Sequence, residues 1–504
     1  MINVSEEVKR KLKSDSCKKY MTVIVNGVGL FTNEQIWYES FKLEESVINS
    51  TWEFVGCISN KMSITVQMPN NGMLESAYKN KEIKASVQVV LSETDGVETL
   101  SENIPLFVGY IDGAEKASDR SYIKFTCYDA LYYKGQTNVY NWYKKLGGYK
   151  WTTKGRTIAD IITHLLTHLD IPYSDADITN CPNSVVKIKN RFKKYKDLTA
   201  INLLEAFCQI NGCFGWIDHD GIMRFRYIGS EVKVEGSAYP SAFYPSQVYP
   251  SQIATSGVDV ITEQGDNVNY YRKLDYDETL IYPLANGITI RATKDSSGVA
   301  ITASDIPDTI DWDDDTDDGY LNSDEDDVKE GSFIIEANMF AYKLNKKKQK
   351  TIACNLLAKL LKNPIAFREY TLEINGLPYL EMGDKIVVPN SKTSTGFIEF
   401  IITNRTLSGI QSMVDTYSAK ISDSDTNFIT EGGASTQPTV KSEYVSTGQV
   451  KAIESATTSD SYGETVANQL ESKEVMIVVS WDEETGILET TSQLISVQDL
   501  GTEE

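Results

Sequence analysis

The chain has 504 residues, room for roughly three or four domains, and its composition of 41% hydrophobic and 24% charged residues is typical of a globular protein. Its formal net charge is −22, and two segments account for all of it, because residues 311–330 carry −10 and residues 425–504 carry −12. The remainder is balanced, which excludes a basic nucleic-acid footprint, and the longest apolar runs are too short to cross a bilayer.

The first part of the chain predicts an N-terminal arm followed by a β domain. Residues 1–19 are charged and lack the continuous apolar stretch of a signal peptide. Residues 20–130 contain seven short segments, from "MTVIVNG" to "SYIKFTCYDAL", that alternate or run apolar between Gly, Asn and Asp. Strands at this spacing indicate a barrel or a sandwich.

Residues 131–236 predict an α/β insertion domain, because the apolar period changes. "TIADIITHLLTHLD" places apolar residues on one helical stripe with Thr157 as N-cap. A second helix begins at Thr199 and ends at Gly212, which is expected in the left-handed conformation. Two strands then flank the turn 219–221, His-Asp-Gly.

Residues 237–330 predict a connector, several β strands and an acidic loop. The connector repeats Tyr-Pro-Ser at a period of five, beginning at Tyr239, Tyr244 and Tyr249. Proline at this period excludes helix and central strand, so the segment is extended or turning and stiffened. It is either a simple connector or an arm whose tyrosines lie against an adjacent subunit.

The acidic loop contains "DDTDDGYLNSDE", residues 314–325, which fits the spacing of a calcium loop. The side-chain ligands would be Asp314, Asp318, Asn322 and Glu325, whereas a Thr occupies the third position and the flanks are poor helices. A solvated loop that repels itself explains the same residues. Both interpretations stay open, and no cofactor other than this calcium ion is expected.

The last third of the chain predicts a helix, "KKQKTIACNLLAKLLKN", followed by a compact β block, both within residues 331–424. Residues 425–504 are rich in Ser, Thr, Gly and Glu. They predict an acidic linker that carries one hairpin, "EVMIVVSWDEETGILETTSQLI", available for docking a partner.

Catalytic chemistry finds little support in the sequence. His164 and His168 are spaced for one helix face, but Leu165 occupies the place of the general base in a metalloprotease helix. The seven cysteines show neither CxxC pairs nor framework spacing, which predicts free buried thiols. We therefore expect no enzyme.

Three stretches carry a resemblance to the baseplate hub, or tail-tip, proteins of phage tails and phage-tail-like particles. The first, "PLFVGYIDGAEKASDRSYIKFTCYDAL", is similar to the family's "G-x-I-[DE]" strand followed by a "Y-D-A-L" strand. The second, "LLEAFCQINGCFGWIDHDGIMRFRYI", resembles its helix, "N-G", strand, "D-x-D-G", strand unit. The third, "PYLEMGDKIVV" followed by "IITNRTLSGIQSMVDTYSA", resembles its closing β block. Together they cover about residues 20–420.

The resemblance implies an α+β, mainly β fold with two related β-barrel domains, separated by inserted α/β domains and followed by a polar C-terminal extension. The barrels would be residues 20–130 and 331–424. A homotrimer would then present six barrels and act as a symmetry adapter with a central channel, joining a sixfold tail tube or distal tail protein to a threefold spike or tip. Contact with a tape measure protein and a place in the virion tail, assembled in the bacterial host cytoplasm, belong to the same expectation.

Two other classes compete with this interpretation. A host-surface or carbohydrate-binding tail adhesin would use exposed Trp and Tyr, and 28 tyrosines make that a real alternative. A cell-wall hydrolase of the tail tip would need a carboxylate pair, which sequence alone does not reveal because it depends on separation in space.

Overall fold

The computed structural model describes the following residues: 2–14, 17–47, 56–68, 74–117, 121–146, 155–188, 197–226, 258–260, 271–276, 281–283, 287–291, 299–302, 332–336, 338–341, 344–362, 370–389, 397–419, 428–430, 439–440, 474–481 and 488–495. Two compact units are present, residues 1–453 and residues 454–504.

The helices in the described residues are α1 Glu6–Leu12, α2 Ala130–Lys134, α3 Tyr140–Lys145, α4 Ile158–His168, α5 Asp175–Thr179, α6 Ala200–Asn211 and α7 Lys346–Lys362, together with a 3-10 turn at Glu75–Ala77.

The strands up to the acidic segment are β1 Lys19–Val25, β2 Gly29–Thr32, β3 Lys42–Ser46, β4 Lys61–Gln67, β5 Glu82–Thr94, β6 Val97–Leu100, β7 Ile104–Lys116, β8 Tyr122–Tyr128, β9 Arg156–Thr157, β10 Lys187–Ile188, β11 Phe214–Ile217, β12 Met223–Arg226, β13 Val258–Val260, β14 Tyr271–Tyr276, β15 Ile281–Pro283, β16 Gly287–Arg291 and β17 Val299–Thr302. Those after it are β18 Ser332–Glu336, β19 Tyr370–Asn375, β20 Lys385–Pro389, β21 Phe397–Ile401, β22 Asn404–Ser408, β23 Val414–Ala419, β24 Phe428–Thr430, β25 Thr439–Val440, β26 Glu474–Trp481 and β27 Leu488–Ile495.

One sheet of twelve strands dominates the first unit. Its order is β14–β19–β23–β22–β3–β4–β8–β7–β5–β1–β2, and β6 pairs with β5. The first unit also contains the smaller sheets β13–β20–β21 and β17–β16–β18–β25 and the two-stranded pairs β9–β10, β11–β12 and β15–β24. The prediction of a mainly β fold is confirmed for the described residues. Strands from both predicted β domains lie in this one sheet, and its ladders alone form an open sheet.

Two sets of strands repeat one topology of five positions; in the second set β21 and β22 together fill one position, and β20 and β21 belong to the sheet β13–β20–β21. In the first set, β3 pairs with β4, β4 with β8, β8 with β7, and β7 with β5. In the second set, β14 pairs with β19, β19 with β23, β23 with β22, and β21 with β20. All of these pairs are antiparallel, and the chain order matches. We call the first set the first module and the second set, β14 with β19–β23, the second module.

The long strand β7 corresponds to β21 and β22 together. β7 pairs with β5 through its first half and with β8 through its second half, and its register shifts between Ile111 and Gly113. In the second module, β21 pairs with β20 and β22 pairs with β23, and only residues 402–403 separate them. The bulge in β7 and the two-residue break between β21 and β22 have the same consequence, because at each the strand leaves one neighbouring strand and pairs with another.

A single apolar core fills both modules. It includes inward-facing residues of β1, β4, β5, β7 and β8 together with those of β19, β20, β22 and β23. The N-terminal segment joins this core, because Val8 and Leu12 of α1 are buried in it and Ser5 caps the helix by accepting from the backbone N–H of Val8.

The first module also makes a contact beyond its named ladders. Ile36, just after β2, forms an isolated antiparallel bridge with Val66 of β4. The backbone N–H of Trp37 donates to the carbonyl of Thr65 at 2.8 Å beside it. The segment that follows β2 therefore returns to β4, which lies at the other end of the run β4–β8–β7–β5–β1–β2.

Helices α2 to α7 pack around a second core with β11, β12, β16 and β18. Two end signals are confirmed here. Thr157 caps α4 by accepting from the backbone N–H of Asp160 at 3.1 Å, and Gly212 ends α6 in the left-handed region at φ 64°. The predicted hairpin around 219–221 is β11–β12, and the predicted late helix is α7. Six of the seven cysteines are buried free thiols and Cys354 is half-buried, close to the prediction.

The second unit contains the predicted C-terminal hairpin. β26 and β27 pair antiparallel, from Glu474 opposite Ile495 to Trp481 opposite Leu488. Within the described part of the chain, none of the helices combines the length and the apolar character that crossing a membrane requires.

Candidate assembly site

The two modules meet at one strand pair, β3 with β22, which we call the seam. The ladder is antiparallel and runs from Lys42 opposite Ser408 to Ser46 opposite Asn404. The Ser46 hydroxyl donates to the Asn404 side chain at its end. Segments about 360 positions apart therefore become neighbouring strands, and backbone hydrogen bonds continue from one module into the other.

A buried arginine, Arg405, bonds to residues of both modules at the seam. Arg405 of β22 donates through Nε and Nη2 to both carboxylate oxygens of Asp415, at 2.8 and 3.1 Å. Its Nη1 donates to Glu45 of β3 at 3.2 Å and to the carbonyl of Leu380 at 2.6 Å, and its Nη2 also donates to the carbonyl of Leu377 at 2.9 Å. All five N–H donors of the guanidinium thus have an acceptor, which is the condition for burying this charge.

The surroundings of Arg405 keep it charged although its side chain has no exposed surface. Burial lowers the pKa of the guanidinium, but the charges of Asp415, Tyr417 and Glu45 outweigh burial and raise it overall. A bidentate arginine–carboxylate pair is also geometrically specific. The seam is therefore an ionic joint inside an apolar core.

A histidine from outside the two modules completes this joint. His219, in the turn between β11 and β12, contacts Glu45 through Nε2 at 2.9 Å, and both side chains are at most 2% exposed. Burial opposes the charge on each, yet the pair raises the pKa of His219 and lowers that of Glu45, with Arg405 contributing to the latter. His219 Nδ1 is buried without a hydrogen-bond partner among the described residues. Glu45 therefore links β22 to the β11–β12 hairpin.

Glu39 forms a second tie between the modules. Its carboxylate accepts from the backbone N–H groups of Ile410, of Gln411 at 3.1 Å and of Ser412 at 3.2 Å, all in the turn after β22. Glu39 itself has φ 52°, a strained value for a residue with a side chain. This strain is maintained by three charge-assisted hydrogen bonds across the modules.

The β11–β12 hairpin contacts the first module along its length. The Asn60 side chain donates to the carbonyl of Ile217 at 2.7 Å, and the N–H of Gly215 donates to the carbonyl of Gly56 at 2.9 Å. At the turn, a Cβ on Gly221 would lie 3.0 Å from Val108 of β7, and φ there is +82°. Only glycine gives this turn its close approach to the first module.

The same hairpin contacts the second module on its other side. A Cβ on Gly383, where φ is +82°, would lie 2.9 Å from the Phe214 ring. Arg226 of β12 donates to Asp384 at 3.4 Å and to the carbonyl of Met382 at 3.3 Å. Its guanidinium also lies 5.0 Å from the centre of the Trp216 ring. The β11–β12 hairpin thus lies between the two modules and contacts both.

Asp129 and Asp218 explain why two of the sequence motifs contain aspartate. Asp129 of "Y-D-A-L" caps α2, accepting from the backbone of Leu131 at 2.9 Å and Asn60 at 2.7 Å and from the hydroxyl of Ser59 at 2.8 Å. Burial raises the pKa of Asp129 to about 7, against these hydrogen bonds. Asp218 of "D-H-D-G" holds the hairpin turn by accepting from the backbone N–H of residues 220 and 222.

The three sequence motifs therefore meet in space. "Y-D-A-L" contacts residues 59–60, whose Asn60 holds β11, "D-H-D-G" is the turn of the hairpin, and "G-D" at 383–384 packs against the hairpin from the other side. Their chemistry is that of turns, caps and close packing.

The predicted calcium ligands Asp314, Asp318, Asn322 and Glu325 lie outside the described residues, as does the Tyr-Pro-Ser segment. Both interpretations of the acidic loop stay predictions, and a rise in melting temperature on adding calcium distinguishes them. No group of three or more His, Cys, Asp or Glu side chains in the described residues is arranged to hold a metal ion.

His164 and His168 lie on the exposed face of α4, and the His168 ring stacks on Trp142 with centroids 5.2 Å apart. The structure thus gives His168 a packing contact on an open helix face.

Sequence reasoning missed the residues of the seam. Glu45 and Arg405 lie in short strands, "KLEES" and "NRTLS", where a charged residue reads as the solvent side of an alternating pattern. One signal was available, because "LEES" places two acidic residues in succession, so one of them has to face the sheet interior.

Comparisons with known proteins give matches among solved structures. The 43 kDa tail protein of prophage MuSo2 from Shewanella oneidensis matches at 12% identity and a TM-score of 0.39, covering 80% of this chain and 98% of that one. A tail protein from Neisseria meningitidis MC58 matches at 12% identity and a TM-score of 0.39, covering 80% and 97%. An E. coli component of the type VI secretion system, described as similar to T4 bacteriophage tail proteins, matches at 8% identity and a TM-score of 0.34, covering 80% and 77%.

No family model matches the sequence, and neither does a curated protein.

Proposed function

We propose that this chain is a structural hub of a phage tail or phage-tail-like particle, a trimeric adapter between a sixfold tail tube and a threefold spike or tip. The observation that carries the proposal is the repeated five-strand topology, with the two copies joined edge to edge at the seam. A chain with two equivalent modules makes three subunits present six similar units around an axis. This reconciles threefold with sixfold symmetry.

The proposal includes a barrel in each module and a central channel enclosed by the ring. Support for the first barrel comes from the bridge between Ile36 and Val66, which returns the segment after β2 to β4. A barrel removes the exposed strand edges that favour uncontrolled association. The same reasoning extends to the second module through its matching strand order.

We also propose partners for this hub. A tail tube or distal tail protein would lie above the ring and a spike or tip protein below it, with a tape measure protein in contact with the channel. The apolar segment of the C-terminal hairpin β26–β27 is the part we assign to docking a partner. The protein would reside in the virion tail after assembly in the bacterial host cytoplasm.

We assign the chain a structural role and no catalysis. The charged groups at the seam, Arg405, Glu45 and His219, are bonded to one another and buried. A group with every donor occupied and no exposed surface has no means to contact a substrate. A zymogram on cell-wall material tests the hydrolase alternative, and a glycan array tests the adhesin alternative.

A reconstruction of the tail particle tests the hub proposal directly. We expect three copies of the chain at the tip of the tail, with the two modules of each copy alternating around the axis. A different copy number, a position on the outer fibres, or modules at different radii would overturn it. Antibody labelling of a tag at the C-terminus gives an independent measurement of the position.

A further inference from the structure

Each module contains a row of four neighbouring strands that ends in two outer edges, which we call margins. The seam uses one margin of each module. In the first module these four strands are β3–β4–β8–β7, and in the second they are β14–β19–β23–β22. The seam joins the margin β3 to the margin β22. The corresponding margins are β14 and the second half of β7. β14 is the last strand of the described sheet on its side, and the ladder of Gly113–Lys116 in the described residues is with β8.

Resting on the proposed hub, we propose that β14 of one copy pairs antiparallel with the Gly113–Lys116 end of β7 in the neighbouring copy, as β3 pairs with β22 within each chain. The partner is a second copy of this chain, and the contact is main-chain strand addition. The seam supplies the precedent, because two margins of the same kinds already pair there in a defined register.

The repeat fixes the register of the proposed pair. In the second module, the N–H of Gly376 donates to the carbonyl of Met413 at 2.8 Å, one residue beyond the ladder of β19 and β23. In the first module, the N–H of Met68 donates to the carbonyl of Ser121 at 2.7 Å, one residue beyond the ladder of β4 and β8. Equating these two bonds makes Gly376 equivalent to Met68 and Met413 equivalent to Ser121, which aligns the two modules residue by residue.

Carrying that alignment to the margins identifies equivalent residues. Asp275 of β14 corresponds to Lys42 of β3, since each lies opposite the equivalent residue of β19 or β4. Ala117, which follows β7, corresponds to Ser408 of β22. Ala117 is hydrogen-bonded to Tyr122, the first residue of β8, and Ser408 lies opposite Val414, the first residue of β23. Because Lys42 lies opposite Ser408, we expect Asp275 to lie opposite Ala117 of the neighbouring copy.

The direction of the backbone groups agrees with this register. The N–H of Ala117 donates to the carbonyl of Tyr122 at 2.9 Å, so the backbone groups of Lys116, one residue earlier, point away from β8. In the seam, the N–H of Gly409 donates to the carbonyl of Phe41 at 2.9 Å. The backbone N–H and C=O of Leu407, two residues earlier, therefore also point toward β3. Lys116 and Leu407 are equivalent under the alignment, and both face the neighbouring margin.

The contact is head-to-tail, because each copy offers one β14 and one β7 end. Such a contact closes into a ring when the rotation between neighbouring copies' modules equals the rotation between the two modules of one chain. Three copies then form a ring with six equivalent joints, three within chains and three between them. Both margins carry exposed charges, including Lys116 and Asp275, which is how strand edges avoid uncontrolled pairing before assembly.

Cysteine pairs in the complete chain test this register. The variant with both Ala117→Cys and Asp275→Cys is oxidised gently and run on a non-reducing gel. We expect cross-linked species up to the mass of three chains, because facing residues of a non-hydrogen-bonded pair have the right separation for a disulfide. Each single variant serves as the control for the native thiols.

Two matched controls accompany it. Lys42→Cys with Ser408→Cys places the same chemistry at the internal seam, and we expect a cross-link within one chain that leaves the mass at one chain. Ala117→Cys with Lys273→Cys shifts the external pair by two residues, and we expect at least tenfold less cross-linking.

The outcomes separate this inference from the hub proposal. Trimers seen by mass photometry without the 117–275 cross-link, while the 42–408 control cross-links, overturn the strand pairing and leave the hub standing. A chain that neither associates nor cross-links at high concentration also overturns the pairing, and the particle reconstruction then decides the hub independently.

A second variant tests the same contact without cysteines. Lys116→Pro removes an N–H that points away from β8, a position where an edge strand tolerates proline. We expect a folded chain with an unchanged circular dichroism spectrum and a loss of trimer at concentrations where the wild type associates. A folded Lys116→Pro chain that still forms trimers would count against the pairing.

Discussion

The seam and the outer margins are two versions of the same strand contact, and they differ in what lies at equivalent positions. In the seam, Arg405 is buried and bonded to Glu45 and Asp415. At the end of β7, the equivalent position is Ala114, followed by the exposed Glu115 and Lys116. The internal joint therefore contains a buried ionic group, whereas the outer margin contains a small residue beside surface charges.

The internal joint is permanent, whereas the outer margin is open to association. A buried charge without its partners is very unfavourable, so the two modules of one chain have to fold against each other. A margin with a small residue and exposed charges is stable in water and remains available to a partner strand. The contrast fits a chain that folds alone and then joins others.

Breaking the ionic joint gives the largest expected effect. Arg405→Ala leaves Glu45 and Asp415 buried without their cation, and we expect the free energy of unfolding to fall by about 3–5 kcal/mol. Urea denaturation followed by fluorescence measures it. Lys116→Ala, on the outer margin, is the matched control and should change that free energy by less than about 0.5 kcal/mol.

If Arg405→Ala does not fold, Arg405→Lys keeps the charge and loses the fork of hydrogen bonds. It should give a folded, less stable protein. Equal effects at Arg405 and Lys116 would contradict the contrast between the two joints.

Disturbing the packing of the β11–β12 hairpin gives the next effect. Gly383→Ala places a Cβ against Phe214 at a left-handed φ of +82°, and we expect a loss of about 1–3 kcal/mol. Gly96→Ala is the control, because φ is +76° there with nothing within 4 Å of the added atom. Thermal denaturation should show a larger fall in melting temperature for Gly383→Ala. Equal losses would mean that the contact with the hairpin is unimportant.

Removing the cap of α2 should have a smaller effect. Asp129→Ala deprives Leu131, Asn60 and Ser59 of their acceptor, and we expect about 1–2 kcal/mol of lost stability. Asp129→Asn keeps one acceptor oxygen and should lose less. Hydrogen exchange at the amides of Leu131 and Asn60 reports the change locally, and unaltered protection would contradict the assigned role.

The pH dependence of the seam gives the smallest effect. The pKa of His219 is raised, so its ion pair with Glu45 contributes fully below the unfolded value of about 6.5 and is lost as pH rises through the folded pKa. The pKa of Glu45 is lowered, so its contribution is present above its unfolded value of about 4.3 and is lost as pH falls through the folded pKa. Arg405 and Glu381 also act on His219, with opposite signs.

We therefore expect the stability difference between the wild type and His219→Gln to be largest near pH 5–6 and to shrink toward pH 9. The change should be about 1.4 kcal/mol for each unit by which the pKa is raised. Melting temperatures of both proteins across this range measure it. A difference that grows with pH would contradict the ion pair.

Local features of this protein were readable from its sequence. Thr157 and Gly212 mark helix ends because a capping hydroxyl and a left-handed glycine act on their own backbone neighbours. The turn before β12 was readable for the same reason. Glu45, Arg405 and His219 were not, because each looks like an ordinary surface residue until its distant partners are known.

The charge-balanced body and the three motifs could be read directly from the sequence, and so could many strands and the ends of α4 and α6, since periodicity and capping depend on residues a few positions apart. Three features became visible only in the folded chain: β3 pairs with β22, the two modules repeat one topology, and the β11–β12 hairpin lies between the modules. Strand pairing joins backbone groups that the chain does not hold near each other, and the energy of a buried charge depends on which groups that pairing brings around it.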